Sequence, residues 1–449
     1  MDTRTVFKAY DVRGIYPDQL DERLARAVGS AFRTFCATGE IVVARDMRTS
    51  SEPLATAFAD GARAVGVEVI DLGLASTDLL YFASGYLERP GVMFTASHNP
   101  AQYNGVKFCL AGAAPVGADS GLVDVEALTN RFYEAPATGA GPPLRSLDLT
   151  SQWVAHVHSF TDVSRLRRLR VVADAANGMG AYVAPLVFAG LPLDVEILYG
   201  ELDGTFPHHP ADPLNPDNLR DLQRRVLESG ADLGLAFDGD ADRVFLIDER
   251  AEPVSGSLTT ALVAAAMLRR HRGASVLYNV ICSKVVPETI TECGGVPIRT
   301  RVGHSFIKQA MAETGAVFGG EHSGHYYFRD NYRADSGIIT AFIVLGLLSD
   351  GDHTLSELVA PFRRYGNSGE LNYTVVDPAA TVERVAARLD PSIAVDRLDG
   401  LTADYGEWWF NLRPSNTEPL LRLNVEAHDE LSCAARVAEV GALIKEEDE

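Results

Sequence analysis

Cysteine is scarce in this chain: Cys36, Cys109, Cys282, Cys293 and Cys433 among 449 residues, odd in number, scattered, and without a CxxC pair. That excludes a disulfide framework and a thiolate metal site, and favours buried reduced thiols. Long apolar runs are also lacking. The longest, 338–348, is broken by Thr340 and Gly346 and falls short of the roughly 20 residues that cross a bilayer. The amino-terminal MDTRTVFKAYDVRG has no apolar signal core, so a cytoplasmic location is expected. Positive charge is in deficit, with 40 Lys and Arg against 61 Asp and Glu, a net −21. Such a field repels nucleic acid and anionic membrane, and neither is expected as a partner. A small anionic substrate stays compatible if basic residues gather in one cleft. With no heptads and no interface stripe, monomer and dimer are both compatible.

The composition that remains, 46% hydrophobic and 22% charged, is that of an ordinary globular chain, and its length suggests about three or four domains. Strands and helices alternate through the first 350 residues or so, favouring α/β layers. Strands are expected at 41–45, 67–72, 92–95 and 106–110. A helix from about 53 to 65 is expected to be capped by Ser50 and Ser51, another near 123–133, and an Ala/Gly/Pro-rich linker at 135–143. A second round places strands at 171–173, 233–237 and 244–247. A third places them at 276–280, 298–302, 317–318 and 326–328. In each round a late strand ends in a polar loop and another strand follows at once, a weak structural self-similarity. Ligands of α/β sheets bind beyond such strand ends. After about Tyr365 the pattern becomes a small α+β domain with an antiparallel sheet.

Four loops carry chemistry. DGDADR sets Asp238, Asp240 and Asp242 at alternate positions after an apolar strand, a donor set for a hard cation such as magnesium or calcium. An EF-hand is excluded, because its sixth position needs Gly and here holds Arg243, and no helix precedes the loop. TASHNP presents Ser97 at a strand end beside His98 and Asn99, outside any GxSxG context. Serine needs a base or a metal to become nucleophilic; with a magnesium loop and Lys107 it becomes a phosphoryl acceptor. RPSNTEP gathers Arg413, Ser415, Asn416 and Thr417 between two strands, good phosphate chemistry but also the composition of a polar turn. GEHSGH alternates Glu321, Ser323 and His325, is not HExxH, and can hydrogen-bond several sugar hydroxyls. His208–His209, between prolines, reads as an ordered loop and not a metal site.

Taken in order, KAYDVRG, TASHNP, DGDADR, VGHSFIK, GEHSGH and RPSNTEP resemble the motifs of the α-D-phosphohexomutase superfamily across essentially the whole chain, and the Glu-x-Ser-Gly-His loop is similar to that of bacterial phosphomannomutases and phosphoglucomutases. The resemblance implies an α/β fold of four domains around a central cleft: three related α/β units and a carboxy-terminal α+β domain with an antiparallel sheet. The expected divisions are 1–145 (phosphoserine), 146–250 (metal), 251–366 (sugar) and 367–449 (distal phosphate). It implies catalytic roles for Ser97, Lys107, Arg13 and His98, with Ser97 as the phosphoserine. It implies one Mg2+ held by Asp238, Asp240, Asp242 and a phospho-Ser97 oxygen, and a hexose 1,6-bisphosphate activator. Substrate contacts would come from Tyr10, Arg243, Gly303, His304, Glu321, Ser323, His325, Arg413, Ser415, Asn416 and Thr417. Arg13 would stabilise charge, and Lys107 would serve as general acid/base if its pKa is depressed.

The implied reaction interconverts mannose 6-phosphate and mannose 1-phosphate through a 1,6-bisphosphate that turns end over end. Phosphoglucomutase or a dual enzyme is the near alternative, since the two sugars differ only at C2. Phosphoglucosamine mutases, usually GEQSGH, differ in this loop at His322. Two departures bear on specificity: Ile281 stands where many relatives carry Lys, so that one cationic contact is either missing or supplied by Lys284, and Val302 stands where Thr is commoner. A non-catalytic sugar-phosphate sensor would not need all of Ser97 and the aspartates. A phosphatase would not need a distal phosphate grip.

Overall fold

A computed structural model describes residues 3–415 and 420–445. Three sheets repeat one topology. In the first, Glu40–Arg45 lies parallel between Glu68–Leu74 and Gly91–Phe94, and Gly91–Phe94 pairs antiparallel with Tyr103–Leu110. In the second, Leu169–Asp174 lies parallel between Leu193–Leu198 and Leu233–Phe237, which pairs antiparallel with Val244–Ile247. In the third, Ser275–Asn279 lies parallel between Val296–Thr300 and Phe318–Gly320, which pairs antiparallel with Tyr326–Phe328. The self-similarity expected from the strand order is therefore a topological repeat. The three polar loops 95–102, 238–243 and 321–325 are the same connection in each unit, from the third parallel strand to the antiparallel one.

The first sheet adds Val12–Ile15 at the edge beyond Tyr103–Leu110, which places Arg13 opposite Gly105. The fourth sheet is wholly antiparallel, in the order Gly366–Tyr373, Leu421–Ala427, Trp408–Pro414, Leu401–Asp404, Ala394–Asp396. Helices Pro378–Ala387 and Glu430–Lys445 accompany it. The architecture is thus three related α/β units and an α+β unit with an antiparallel sheet, as expected.

One continuous apolar core runs through the first three units. At its centre is the helix Gly337–Ser349, which includes the longest apolar run and is buried over most of its length. A helix apolar on all sides belongs inside a large core. No helix among the described residues is long and apolar enough to cross a membrane.

One local expectation is corrected. Helix Ser51–Ala64 starts two residues before the expected 53, so Ser51 is its first residue, and Ser50 makes no capping bond with its side chain. Its hydroxyl accepts from Asn104 Nδ2 (2.7 Å), and that of Ser51 donates to Asp46 Oδ1 (2.5 Å). Both are spent on the floor of the neighbouring loop. The segment 135–143 forms no helix or strand, yet it is held down, with Arg63 Nε donating to the Pro142 carbonyl at 2.6 Å.

Helices Glu22–Cys36 and Ser51–Ala64 cross at Gly29 and Gly61, where a Cβ on either would strike the backbone of the other. Gly61→Ala is accordingly expected to cost about 2 kcal/mol or more in urea unfolding. Gly39→Ala, where a Cβ meets nothing within 4 Å, should change stability by no more than about 0.5 kcal/mol.

Candidate active site

The loops after the third strands of units one and two meet face to face. Ser97 adopts a left-handed backbone conformation (φ 51°) and is 5% exposed. Its amide donates to Thr95 Oγ1 at 2.9 Å, and its hydroxyl donates to Asp238 Oδ2 at 2.6 Å. Arg243 Nη2 donates to the same hydroxyl at 3.1 Å, and His98 Nδ1 lies 3.4 Å away. Gly239 is required opposite, because a Cβ there would occupy the space of the Ser97 carbonyl.

Asp238, Asp240 and Asp242 are all buried, with one oxygen of each within 4.8 Å of the others. Lys107, from the antiparallel strand of the first unit, places Nζ 2.7 Å from Asp240 Oδ2 and 2.6 Å from Asp242 Oδ2. Thr77 Oγ1 also donates to Asp240 Oδ2, at 2.6 Å. Arg243 binds Asp238 through Nε at 2.9 Å. What remains is informative: Asp240 Oδ1 and Asp242 Oδ1 are buried with no hydrogen-bond partner. Carboxylate oxygens without a hydrogen bond are costly in a protein interior, and three carboxylates that bring one oxygen each within 4.8 Å of the others fit the donor set of Mg2+. The chemistry of the residues therefore fits the metal.

The electrostatics follow from this crowding. Burial pushes Asp238 up to about 7, against the pull of Arg243 and with help from Asp242 and Asp240. Burial also works against the charge on Asp240, but Lys107 holds that carboxyl well below its usual range. Lys107 itself is raised well above its ordinary value: burial opposes its charge, and Asp240 and Asp242 outweigh burial. The depressed pKa required of Lys107 as a base is thus not produced by the protein's own groups. Burial, reinforced by Arg243 and Arg13, lowers His98 well below its usual value.

Of the other predicted residues, Arg13 and His325 reach these two loops, and Tyr10, Gly303 and Glu321 form a linked group. Arg13 Nη2 pairs with Asp11 at 2.6 Å, Nη1 donates to Asn99, and Nε is buried without a partner. Tyr10 OH donates to the Val302 carbonyl at 3.3 Å, and its ring packs edge-on against His304 and Phe306. Gly303 (φ 131°) has its Cα against that phenol, where a Cβ would come within 2.8 Å. The carboxylate of Glu321 is already engaged: Oε1 accepts from Tyr327 OH at 2.6 Å, and Oε2 accepts from Asn279 Nδ2 at 3.0 Å and the Gly303 amide at 3.2 Å. Ser323 is half-buried. His325 Nδ1 lies 2.8 Å from Asp335 Oδ2 and 3.8 Å from Asp242 Oδ1.

In the fourth unit Arg413 is buried and donates to Glu370 Oε2 at 2.7 Å; Arg422 pairs with Glu370 Oε1 at 3.2 Å. Ser415 closes the strand end through its amide, 2.8 Å from the Leu420 carbonyl, while Asn416 and Thr417 lie outside the described residues. Ile281 is buried, and Lys284 does not replace the missing cation. Its ammonium binds Asp404 (2.8 Å) and the Gly406 carbonyl (2.9 Å), tying the third unit to the fourth.

Models of the phosphoglucomutase/phosphomannomutase family match four consecutive stretches: alpha/beta/alpha domain I over 4–131, domain II over 151–252, domain III over 255–365 and the C-terminal domain over 370–442. The chain belongs to this family. It is 39% identical to a protein of Xanthomonas campestris pv. campestris named "phosphohexose mutases", over 99% of this chain and all of the relative. It is 37% identical to a phosphomannomutase of Escherichia coli K12, over 95% of this chain and 96% of the relative. A crystal structure of a phosphoglucomutase/phosphomannomutase family protein from Burkholderia thailandensis superposes with a TM-score of 0.89 at 31% identity, covering 99% of this chain and 98% of that one. The open form of parafusin, a phosphoglucomutase from Paramecium, shares the fold (TM-score 0.80, 17% identity, 98% and 94% covered). Members of this phosphohexomutase family are magnesium-dependent intramolecular phosphotransferases.

Sequence reasoning missed Arg48. Its buried guanidinium donates to four carbonyls of the Ser97 loop: Ser97 (2.8 Å), Asn99 (2.7 Å), Pro100 (2.9 Å) and Tyr103 (3.0 Å). Asp46 backs it at 3.3 Å, and Phe206 of the second unit lies under it at 4.9 Å. The nearest signal was Ser50 and Ser51, read as caps of the helix that follows. A lysine cannot reproduce that fork, so Arg48→Lys is expected to lower kcat on the order of 100-fold through displacement of Ser97. Its Mg2+ affinity, measured by calorimetry, should stay within about threefold, since Arg48 touches none of the three aspartates.

Proposed function

We propose that the chain is a phosphomannomutase that interconverts mannose 6-phosphate and mannose 1-phosphate through phospho-Ser97 and a hexose 1,6-bisphosphate. The observation that carries this reading is the Ser97 hydroxyl on a left-handed turn, 2.6 Å from a buried aspartate triad and within reach of Arg243. A phosphoryl acceptor needs an oriented oxygen, positive charge around the three phosphoryl oxygens and exclusion of water. The domain divisions that go with it are 1–145, 146–250, 251–366 and 367–449.

Asp238, Asp240 and Asp242 would hold Mg2+, with a phosphoserine oxygen as a further ligand; the bound ion supplies electrophilic neutralisation of charge on the transferring group. Arg243 and Arg13 stabilise that charge by hydrogen bonding and hold their protons throughout. Lys107, kept charged by its two aspartates, serves as proton donor and charge stabiliser. His98, held neutral, accepts or donates a hydrogen bond at the phosphoryl group. As the bond from the sugar oxygen to phosphorus forms, the bond to Ser97 Oγ breaks; Lys107 gives a proton to the departing Oγ and regains one from the sugar hydroxyl, so that no net charge is left on either oxygen.

Tyr10, Gly303 and His304, which meet where units one and three touch, would contact the substrate. Ser323 and His325 offer hydrogen bonds to sugar hydroxyls, and Glu321 does so by exchanging one of its present partners. Arg413, Ser415, Asn416 and Thr417 would grip the non-reacting phosphate. The 1,6-bisphosphate then serves both as intermediate and as the activator that recharges Ser97. Location in the cytoplasm, small hexose phosphates as the partners, and no role for nucleic acid or membrane complete the reading.

A dual phosphomannomutase/phosphoglucomutase is the second reading, supported by the family descriptions that name both sugars. Phosphorus NMR with Mg2+, a trace of glucose 1,6-bisphosphate and either mannose 1-phosphate or glucose 1-phosphate tests both. Conversion to the 6-phosphate, abolished in Ser97→Ala, is expected, with mannose 1-phosphate turned over at least as fast as glucose 1-phosphate. Accumulation of inorganic phosphate alone would contradict a mutase, and turnover of the glucose substrate only would contradict the mannose assignment.

A further inference from the structure

Helix Thr77–Leu87 of the first unit begins under the aspartate triad of the second, capped by Ser76. Thr77 is fully buried and touches Asp240 twice. Its amide donates to the Asp240 carbonyl at 3.1 Å, and its hydroxyl donates to Oδ2 at 2.6 Å. Lys107 Nζ takes the same Oδ2 at 2.7 Å. The other oxygen, Oδ1, is buried and has no hydrogen-bond partner. A carboxylate has two chemically equal oxygens and can rotate about its Cβ–Cγ bond. Two donors fixed on one oxygen stop that rotation and decide which oxygen is offered to a cation.

We infer that Thr77 is a positioning residue for the metal: by holding the backbone and Oδ2 of Asp240, it turns Oδ1 into the cation site. This rests on the reading that the triad holds Mg2+. Lys107 alone is a weaker lock, because its ammonium is shared with Asp242 Oδ2 at 2.6 Å and sits on a flexible stem. Thr77 comes from a helix start with no such freedom. It also belongs to a different unit from the aspartates, so metal affinity becomes a property of the packing of unit one on unit two. The neighbouring Asp78 extends the same helix start to the third unit, with Ser336 Oγ donating to its Oδ2 at 2.8 Å. The three units are thus tied at one helix end beneath the metal loop.

The test uses the full chain and the metal alone. Mn2+ affinity by electron paramagnetic resonance and Mg2+ affinity by calorimetry are measured for wild type, Thr77→Val, Thr77→Ser, Thr77→Ala and Asp240→Asn, with circular dichroism confirming the fold at the working temperature. The metal Kd should rise roughly 10-fold or more in Thr77→Val and Thr77→Ala and stay within about threefold of wild type in Thr77→Ser. Ser and Ala both lack the methyl group and differ in the hydroxyl alone, so loss of packing does not mimic the result. In steady state the activation constant for Mg2+ should rise while the KM for sugar phosphate stays put. Equal metal affinity in Thr77→Ala and Thr77→Ser overturns the inference. If wild type and Asp240→Asn bind metal alike, the triad is not the metal site, and the reading beneath the inference fails with it.

Discussion

Three carboxylates buried against one another are the constraint on which the rest of this molecule depends. Asp238, Asp240 and Asp242 have almost no solvent to share their charge. An isolated group of this kind would neutralise itself or open to water. Here the compensation comes from outside their own loop: Lys107 and Thr77 from the first unit, with only Arg243 supplied locally. The triad is therefore stable only where units one and two are docked. The serine it addresses, Ser97, sits on the docked face. Two aspartate oxygens still lack a hydrogen bond, and on the proposed reading that is the residual demand a divalent cation would meet.

The topological repeat explains why the chemistry lands in one place. Each α/β unit turns from its third parallel strand into an antiparallel neighbour through a short polar loop, so each presents one chemical group at the same edge of its sheet. The serine, the carboxylates and the Glu321–His325 loop are three versions of that connection, arranged around a common centre. The fourth unit contributes differently, through an antiparallel hairpin whose buried Arg413 is fixed by Glu370. The contacts of Lys284 with Asp404 and of Arg299 with Asp396 (2.6 Å) hold it to the third unit. These are partly exposed pairs and individually weak, as would suit a unit that, on the proposed reading, admits and releases a sugar phosphate.

Much of this was legible from residues that are contiguous in sequence. DGDADR, TASHNP and GEHSGH each contain their own chemistry, and the flanking apolar strands locate them at sheet ends. What was not legible is whatever acts from afar. Arg48 is one buried cation in a run that reads as a helix cap. Thr77 is a helix-start threonine whose partner lies 163 residues away. Ser50 and Ser51 have the composition of caps but spend their hydroxyls on Asn104 and Asp46. The helix Gly337–Ser349 carries no amphipathic period because no side of it faces water. Lys284 looked like a substitute for a cleft cation, and only the placement of Asp404 shows otherwise.

The central claim is that Ser97 carries the phosphoryl group between substrate molecules. Peptide mass spectrometry of the protein treated with glucose 1,6-bisphosphate and Mg2+, before and after a chase with mannose 1-phosphate, addresses it most directly. The account predicts one phosphoryl group on the peptide containing Ser97, discharged by the chase into hexose bisphosphate. Phosphate on a different residue, or a phospho-Ser97 that is released only as inorganic phosphate, would contradict it.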